Sequence, residues 1–119
     1  MDKNVQTIQT YFELSDIAAH DNQALQTIIS LFAADSQIIP ASGSQVSSKA
    51  QIAAFFTSFF TRNQTLKHVF HTDPTTVNYK TSWAVAGIKK SGALFTLQGN
   101  DYYEFDAAGK ISKLIVAAN

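Results

Sequence analysis

Asp101 is the residue around which chemistry is most readily built. In Gly99–Gly109, GNDYYEFDAAG, an extended chain puts Asp101, Tyr103 and Phe105 on one face and Asn100, Tyr102 and Glu104 on the other. Phe95 and Leu97 continue the Asp101 face upstream. A carboxyl among such neighbours is costly to ionise, so it is either satisfied by a buried partner or poised as an acid. His68 is the second candidate. Alternation along Leu66–Thr72, LKHVFHT, groups it with Leu66 and Phe70. Apolar surroundings raise an aspartate pKa and lower a histidine pKa, bringing both toward neutrality, where proton transfer works best. Facing one cavity, Asp101 and His68 would form a proton-transfer pair. The competing reading is that each is bonded for structural reasons alone.

The remaining polar residues offer less. His71 falls on the face opposite His68 and reads as solvent-exposed, and His20 stands at a helix end, where it can satisfy terminal carbonyls. No His-x-His or His-x-x-x-His spacing exists, so neither a metal nor another cofactor is expected. There is no Gly-x-Ser-x-Gly elbow and no glycine-rich strand-to-helix turn to cradle a phosphate. With no cysteine, disulfides, zinc–thiolate sites and thiol nucleophiles are excluded. Nine basic and nine acidic residues cancel, which argues against nucleic acid as a partner, and the single arginine, Arg62, limits bidentate anion clamps. No apolar run has membrane-spanning length, and the polar start MDKNVQT lacks a signal-peptide core, so a cytoplasmic address is expected.

The elements that must position these residues follow from periodicity. The 119 residues suit one domain, 1–119, with nine Phe, four Tyr and one Trp to fill it. Asn4–Ala19 reads as a helix with Val5, Ile8 and Phe12 in an apolar stripe. Asp21 caps a second helix over Gln23–Ala33. Gln37–Ile39 is a short strand stopped by Pro40, and Gln45–Ser47 returns beside it. Ser48 and Gln51 form a capping box for a third helix, Lys49–Asn63, rich in phenylalanine. Four strands follow: Leu66–Thr72, Val77–Lys89, Ala93–Phe105 and Ile111–Ala117, with turns at Asp73-Pro74, Lys90-Ser91-Gly92 and Asp106–Gly109. The order α-α-β-β-α-β-β-β-β, with helices segregated from a meander, is an α+β pattern: a curved sheet folded over helices. Phe55, Phe59, Trp83 and Tyr103 are its expected pocket wall.

Three stretches together resemble the nuclear transport factor 2-like superfamily, in its SnoaL-like and ketosteroid-isomerase-like branches: Leu31–Asp35 followed by a strand, the Ser48–Ile52 helix start, and Asp101–Lys110. The resemblance implies a cone, in which a bent mixed or antiparallel sheet encloses a pocket and its outer face often mediates a homodimer. Asp101 matches the protonated acid that ketosteroid isomerases direct at a developing oxyanion, and Tyr11 matches their oxyanion tyrosine. The isomerase general base falls at Pro40, which cannot move a proton. The epoxide-hydrolase Asp-Arg-Asp set has no counterpart here. His68 matches the pocket histidine of scytalone-dehydratase-like members. The implied function is a pocket for a hydrophobic small molecule, with isomerase, cyclase or dehydratase chemistry, or alternatively a non-catalytic binding or assembly module.

Overall fold

Each helix begins where a side-chain oxygen caps it. Asp2 accepts the Asn4 N–H at 2.8 Å at the head of α1 (Lys3–Ser15), and Asp21 accepts the Ala24 N–H at 3.1 Å at the head of α2 (Asn22–Ser30). Ser48 accepts the Gln51 N–H at 3.3 Å ahead of α3 (Lys49–Thr61). The Gln51 side chain returns to the Ser47 N–H at 2.9 Å, so the expected box is present with its return bond one residue upstream. The computed structural model describes residues 2–118.

Six strands complete the chain: β1 (Phe32–Ile39), β2 (Val46–Ser47), β3 (Asn63–Thr72), β4 (Thr81–Lys89), β5 (Leu94–Phe105) and β6 (Ile111–Ala118). They form one mixed sheet in the order β2-β1-β6-β5-β4-β3. The meander β3 to β6 is antiparallel, whereas β1 pairs with β6 in parallel. The architecture is α+β, as expected, with three helices gathered on one face of the sheet. Their apolar stripes meet it through Ile8, Phe12, Ile28, Ile52, Phe56 and Phe60, against Ile38, Leu66, Tyr103, Ile111 and Leu114. Phe12 of α1 stacks on Phe70 of β3 with ring centroids 4.7 Å apart.

Several boundaries differ from the sequence reading. Helix α1 stops at Ser15, not Ala19, and α2 at Ser30, not Ala33. Strand β1 starts five residues before Gln37. Phe32 and Ala33 suit either period, and β6 decides between them: Phe32 pairs with Ile111, whose N–H donates to the Leu31 carbonyl at 2.9 Å. A register shift between Phe32 and Gln37 accommodates the extension. Val77–Lys80 is loop, not strand. Thr72 already pairs with Thr81, Val77 is fully exposed, and Tyr79 has a positive φ of 49°.

Gly99 marks a tight point of the sheet. A Cβ there would press on the Ala117 carbonyl oxygen and lie 2.9 Å from the Ala118 Cα, both backbone atoms of β6. The change Gly99→Ala is therefore expected to cost about 2 kcal/mol in urea unfolding, through overpacking at the β5–β6 seam. An unchanged midpoint would show that this seam yields freely.

Candidate functional site

The sheet and helices leave a cavity of about 180 Å³ between them. Tyr11, Phe55, Phe56, Phe59, Trp83, His68 and Asp101 are among its lining residues, so its wall is chiefly aromatic with few polar atoms. Alternation builds it. Asp101 on β5 pairs with Thr81 on β4 and Val116 on β6, and Trp83 stands two residues along β4 on the same face. Helix α3 contributes Phe55 and Phe59, one turn apart.

Asp101 is only 2% exposed. The Tyr103 hydroxyl donates to its Oδ2 at 2.7 Å, whereas Oδ1 has no partner. The Trp83 indole Nε1 is likewise buried without a partner. It lies near enough to favour the carboxylate, yet its geometry falls short of a hydrogen bond. Burial dominates and raises the Asp101 pKa to about 7, against the lowering effects of the Tyr103 hydroxyl and the Trp83 N–H. Part of the Tyr11 side chain reaches the surface, but burial and then the Asp101 charge push its hydroxyl pKa up. The same two causes, in the same order, act on Tyr103, followed by a smaller contribution from Tyr11. Tyr11, Trp83 and Asp101 thus line the cavity together, with Tyr103 behind the carboxyl.

His68 has a different partner from the one expected. Its Nδ1 lies 2.8 Å from Asp16 Oδ1, and its backbone N–H donates to that same oxygen at 2.8 Å. Oδ1 acts as an acceptor in the backbone bond, so Nδ1 carries the ring proton and Nε2 keeps its lone pair. Burial lowers the His68 pKa more than Asp16 raises it, which favours the neutral ring.

The direct Asp101–His68 pair is not formed. His68 lies opposite Val85, which faces Leu97, four residues before Asp101 on β5. That offset amounts to roughly 13 Å along the strands, plus two strand spacings across. The two residues occupy separate parts of one cavity lining. Tyr103 does not line the hollow but stands behind Asp101 as its hydrogen-bond donor. Tyr11, Phe55, Phe59 and Trp83 all line it. His71 is exposed, and His20 bonds through Nε2 to the carbonyl of Gln64 on β3, not to a helix end. Asp16 went unnoticed in the sequence. Its one signal is an acid just past the C-terminus of α1, where the helix dipole disfavours negative charge unless donors meet it.

Pro40 ends β1, and its neighbour Ala41 lines the cavity. Among the described residues, no group of three or more His, Asp or Glu is placed to hold a metal. No helix among them is long and apolar enough to cross a membrane.

No family model matches the sequence, and no curated protein does so. Solved structures do. An NTF2-like protein of unknown function from Exiguobacterium sp. 255-15 is 30% identical, with a TM-score of 0.85 over 95% of this chain and 98% of that one. The Δ5-3-ketosteroid isomerase of a Mycobacterium species is 20% identical, with a TM-score of 0.82 over 100% and 95%. A Mycobacterium tuberculosis protein in complex with estradiol-17β-hemisuccinate is 19% identical, with a TM-score of 0.81 over 100% and 95%. The chain belongs to the NTF2-like superfamily, and its three helices on an open six-stranded sheet are that superfamily's cone.

The raised Asp101 pKa has a consequence for stability. Between its ordinary 3.8 and about 7, the folded chain holds a proton that the unfolded chain has released. Stability therefore falls as pH rises through this interval, by up to about 4 kcal/mol. The variant Asp101→Asn is expected to lose this slope and to unfold at higher urea than the parent at pH 8. Parallel stability–pH curves for the two proteins would contradict it.

Proposed function

We propose that this chain is a small-molecule enzyme of acid–base type, in the isomerase, cyclase or dehydratase range, acting on a hydrophobic substrate. One observation carries the reading: Asp101, on the lining of a cavity walled by aromatic rings, is buried with one carboxyl oxygen left without a partner. A group whose pKa lies near 7 both gives and accepts a proton at neutral pH. Tyr103 engages Oδ2, so the exchangeable proton belongs on Oδ1, the side left open. There Asp101 donates to a substrate oxygen and, as the carboxylate so formed, takes up the proton lost from the neighbouring carbon, with Tyr11 on the same cavity lining. His68, turned by Asp16, offers Nε2 as a second proton acceptor elsewhere on the lining. Likeness to a ketosteroid isomerase at 20% identity supports the fold's capacity for such chemistry, not a steroid substrate.

Deuterium exchange beside the carbonyl of a small cyclic ketone, followed by NMR in D2O, tests this without knowledge of the natural substrate. The parent is expected to accelerate exchange, and Asp101→Asn to slow it by about 100-fold while remaining folded. His68→Gln is expected to have a smaller effect. Unchanged exchange in the Asn variant would remove Asp101 from the chemistry.

A second reading is favoured by Pro40: with no acid where the isomerase base is expected, the same cavity serves a binding or assembly module that retains its ligand unchanged. Bound, unreacted ketone with no exchange in the parent would select it. Under either reading we assign the outer sheet face to a second copy of the chain. Val69 is 70% exposed there, beside the small residues Ala84 and Ala86, in a shallow groove that also includes Thr96 and Gln98. Sedimentation equilibrium is expected to give a dimer for the parent and a monomer for Val69→Glu. A parent that stays monomeric at high micromolar concentration would refute this.

A further inference from the structure

Zero net charge conceals a polarised chain. Between Ser36 and Asn100 lie Lys49, Arg62, Lys67, Lys80, Lys89 and Lys90, and Asp73 is the one acid among them. That acid follows the far end of β3, roughly 30 Å along the strand from Arg62. The same stretch supplies much of the cavity wall, including Phe55, Phe59, Trp83 and Leu97.

Two of these cations stand at the rim. The cavity opens where its lining reaches solvent: Leu97 of β5 is 49% exposed, and Phe55 and Phe59 of α3 are half-buried. The Arg62 guanidinium lies over the Phe59 ring, 5.9 Å from its centroid. The Lys89 ammonium lies over Phe95 at 5.7 Å, and Phe95 shares a face of β5 with Leu97. The two backbones are neighbours, since Lys89 pairs with Asn63 and the Lys90 N–H donates to the Arg62 carbonyl at 2.9 Å. Ser58 Oγ takes one guanidinium proton at 3.1 Å, and among the described residues neither cation makes an ion pair. The helix dipole accounts for a cation at the end of α3, but not for Lys89 on β4. The last carbonyls of α3, which would repel an anion, are engaged: those of Ser58 and Phe60 by the Arg62 N–H, and that of Phe59 by the Asn63 side chain at 2.7 Å.

We infer that the ligand is an anionic amphiphile, a hydrophobic body bearing a carboxylate, held with its body in the cavity and its carboxylate at the rim between Arg62 and Lys89. This rests on the cavity being a small-molecule site, as proposed above. Arg62 offers the planar donor fork that a carboxylate accepts, and Lys89 adds a second charge. Asp101 stands four residues beyond Leu97, roughly 13 Å along β5. An acid anchored at the rim therefore sends its remote end, not its carboxylate, toward Asp101, and the two like charges stay apart.

Isothermal titration at low salt with decanoate, 1-decanol and butanoate tests it. The first two share a chain and differ in charge, and the third keeps the charge and loses most of the chain. The parent is expected to bind decanoate about tenfold more tightly than decanol, a preference that weakens as KCl is raised. It is expected to bind butanoate at least about 100-fold more weakly than decanoate. Arg62→Gln combined with Lys89→Gln is expected to bring decanoate and decanol to equal affinity while leaving decanol binding unchanged. Equal binding of the two by the parent would overturn the inference, as would a preference that survives in the double variant. Butanoate binding as tight as that of decanoate would also overturn it, because the cations would then act without the cavity. Phosphatidylglycerol vesicles are expected not to sediment with the protein, and co-sedimentation lost in the double variant would assign the cations to a membrane surface instead. Failure of decanoate to bind, with ketone exchange intact, would overturn the ligand class and leave the small-molecule site standing. Failure of both would overturn both.

Discussion

The site depends on one carboxyl that is half satisfied. Tyr103 and Asp101 project from the same face of β5, two residues apart, so the hydroxyl of one reaches Oδ2 of the other. The bond fixes the carboxyl's orientation and leaves Oδ1 turned away from it without a partner. Burial of that oxygen costs stability in the ionised state, and the same cost brings the acid's pKa into the working range. A second full hydrogen bond to Oδ1 would relieve the cost and return the pKa toward its ordinary value. The Trp83 N–H comes near this and stops short of it.

The rest of the fold holds that carboxyl in an apolar setting. The parallel β1–β6 pairing joins the β1–β2 hairpin to the meander, while the antiparallel β4–β5–β6 register sets Trp83, Asp101 and Val116 on the helix-covered face. Helix α3 packs its phenylalanines over the hollow, and α1 brings Tyr11 to one part of it. The C-terminus of α1 does a separate task. Its Asp16 takes two N–H groups from His68 and so sets both that ring's tautomer and its direction.

Much of this was legible in the sequence because period-two alternation is unambiguous in β5. Asp101 and Tyr103 had to share a face with Phe105, and capping at Asp21 and Ser48 located two helix starts. Boundaries were less legible where a residue suits two states. Phe32 and Ala33 continue the helical stripe of α2 as readily as they begin β1, and only the partner strand β6 settles the matter. Val77 and Tyr79 alternate correctly with Trp83, yet the β3–β4 hairpin closes at Thr72 and Thr81 and leaves them in a loop. The Asp16–His68 bond spans 52 positions and carries no local pattern, so His68 was assigned to the wrong acid. The orphan Trp83 N–H was equally hidden, since sequence gives the residue and not the missing partner.

The most direct measurement is the titration of the Asp101 carboxyl carbon by 13C NMR in the free protein. A midpoint near 7 is expected, moving upward in Tyr103→Phe as the favourable hydroxyl bond is lost. A midpoint near the ordinary 3.8 would mean that water reaches Oδ1 freely, and the account of a poised buried acid would be wrong.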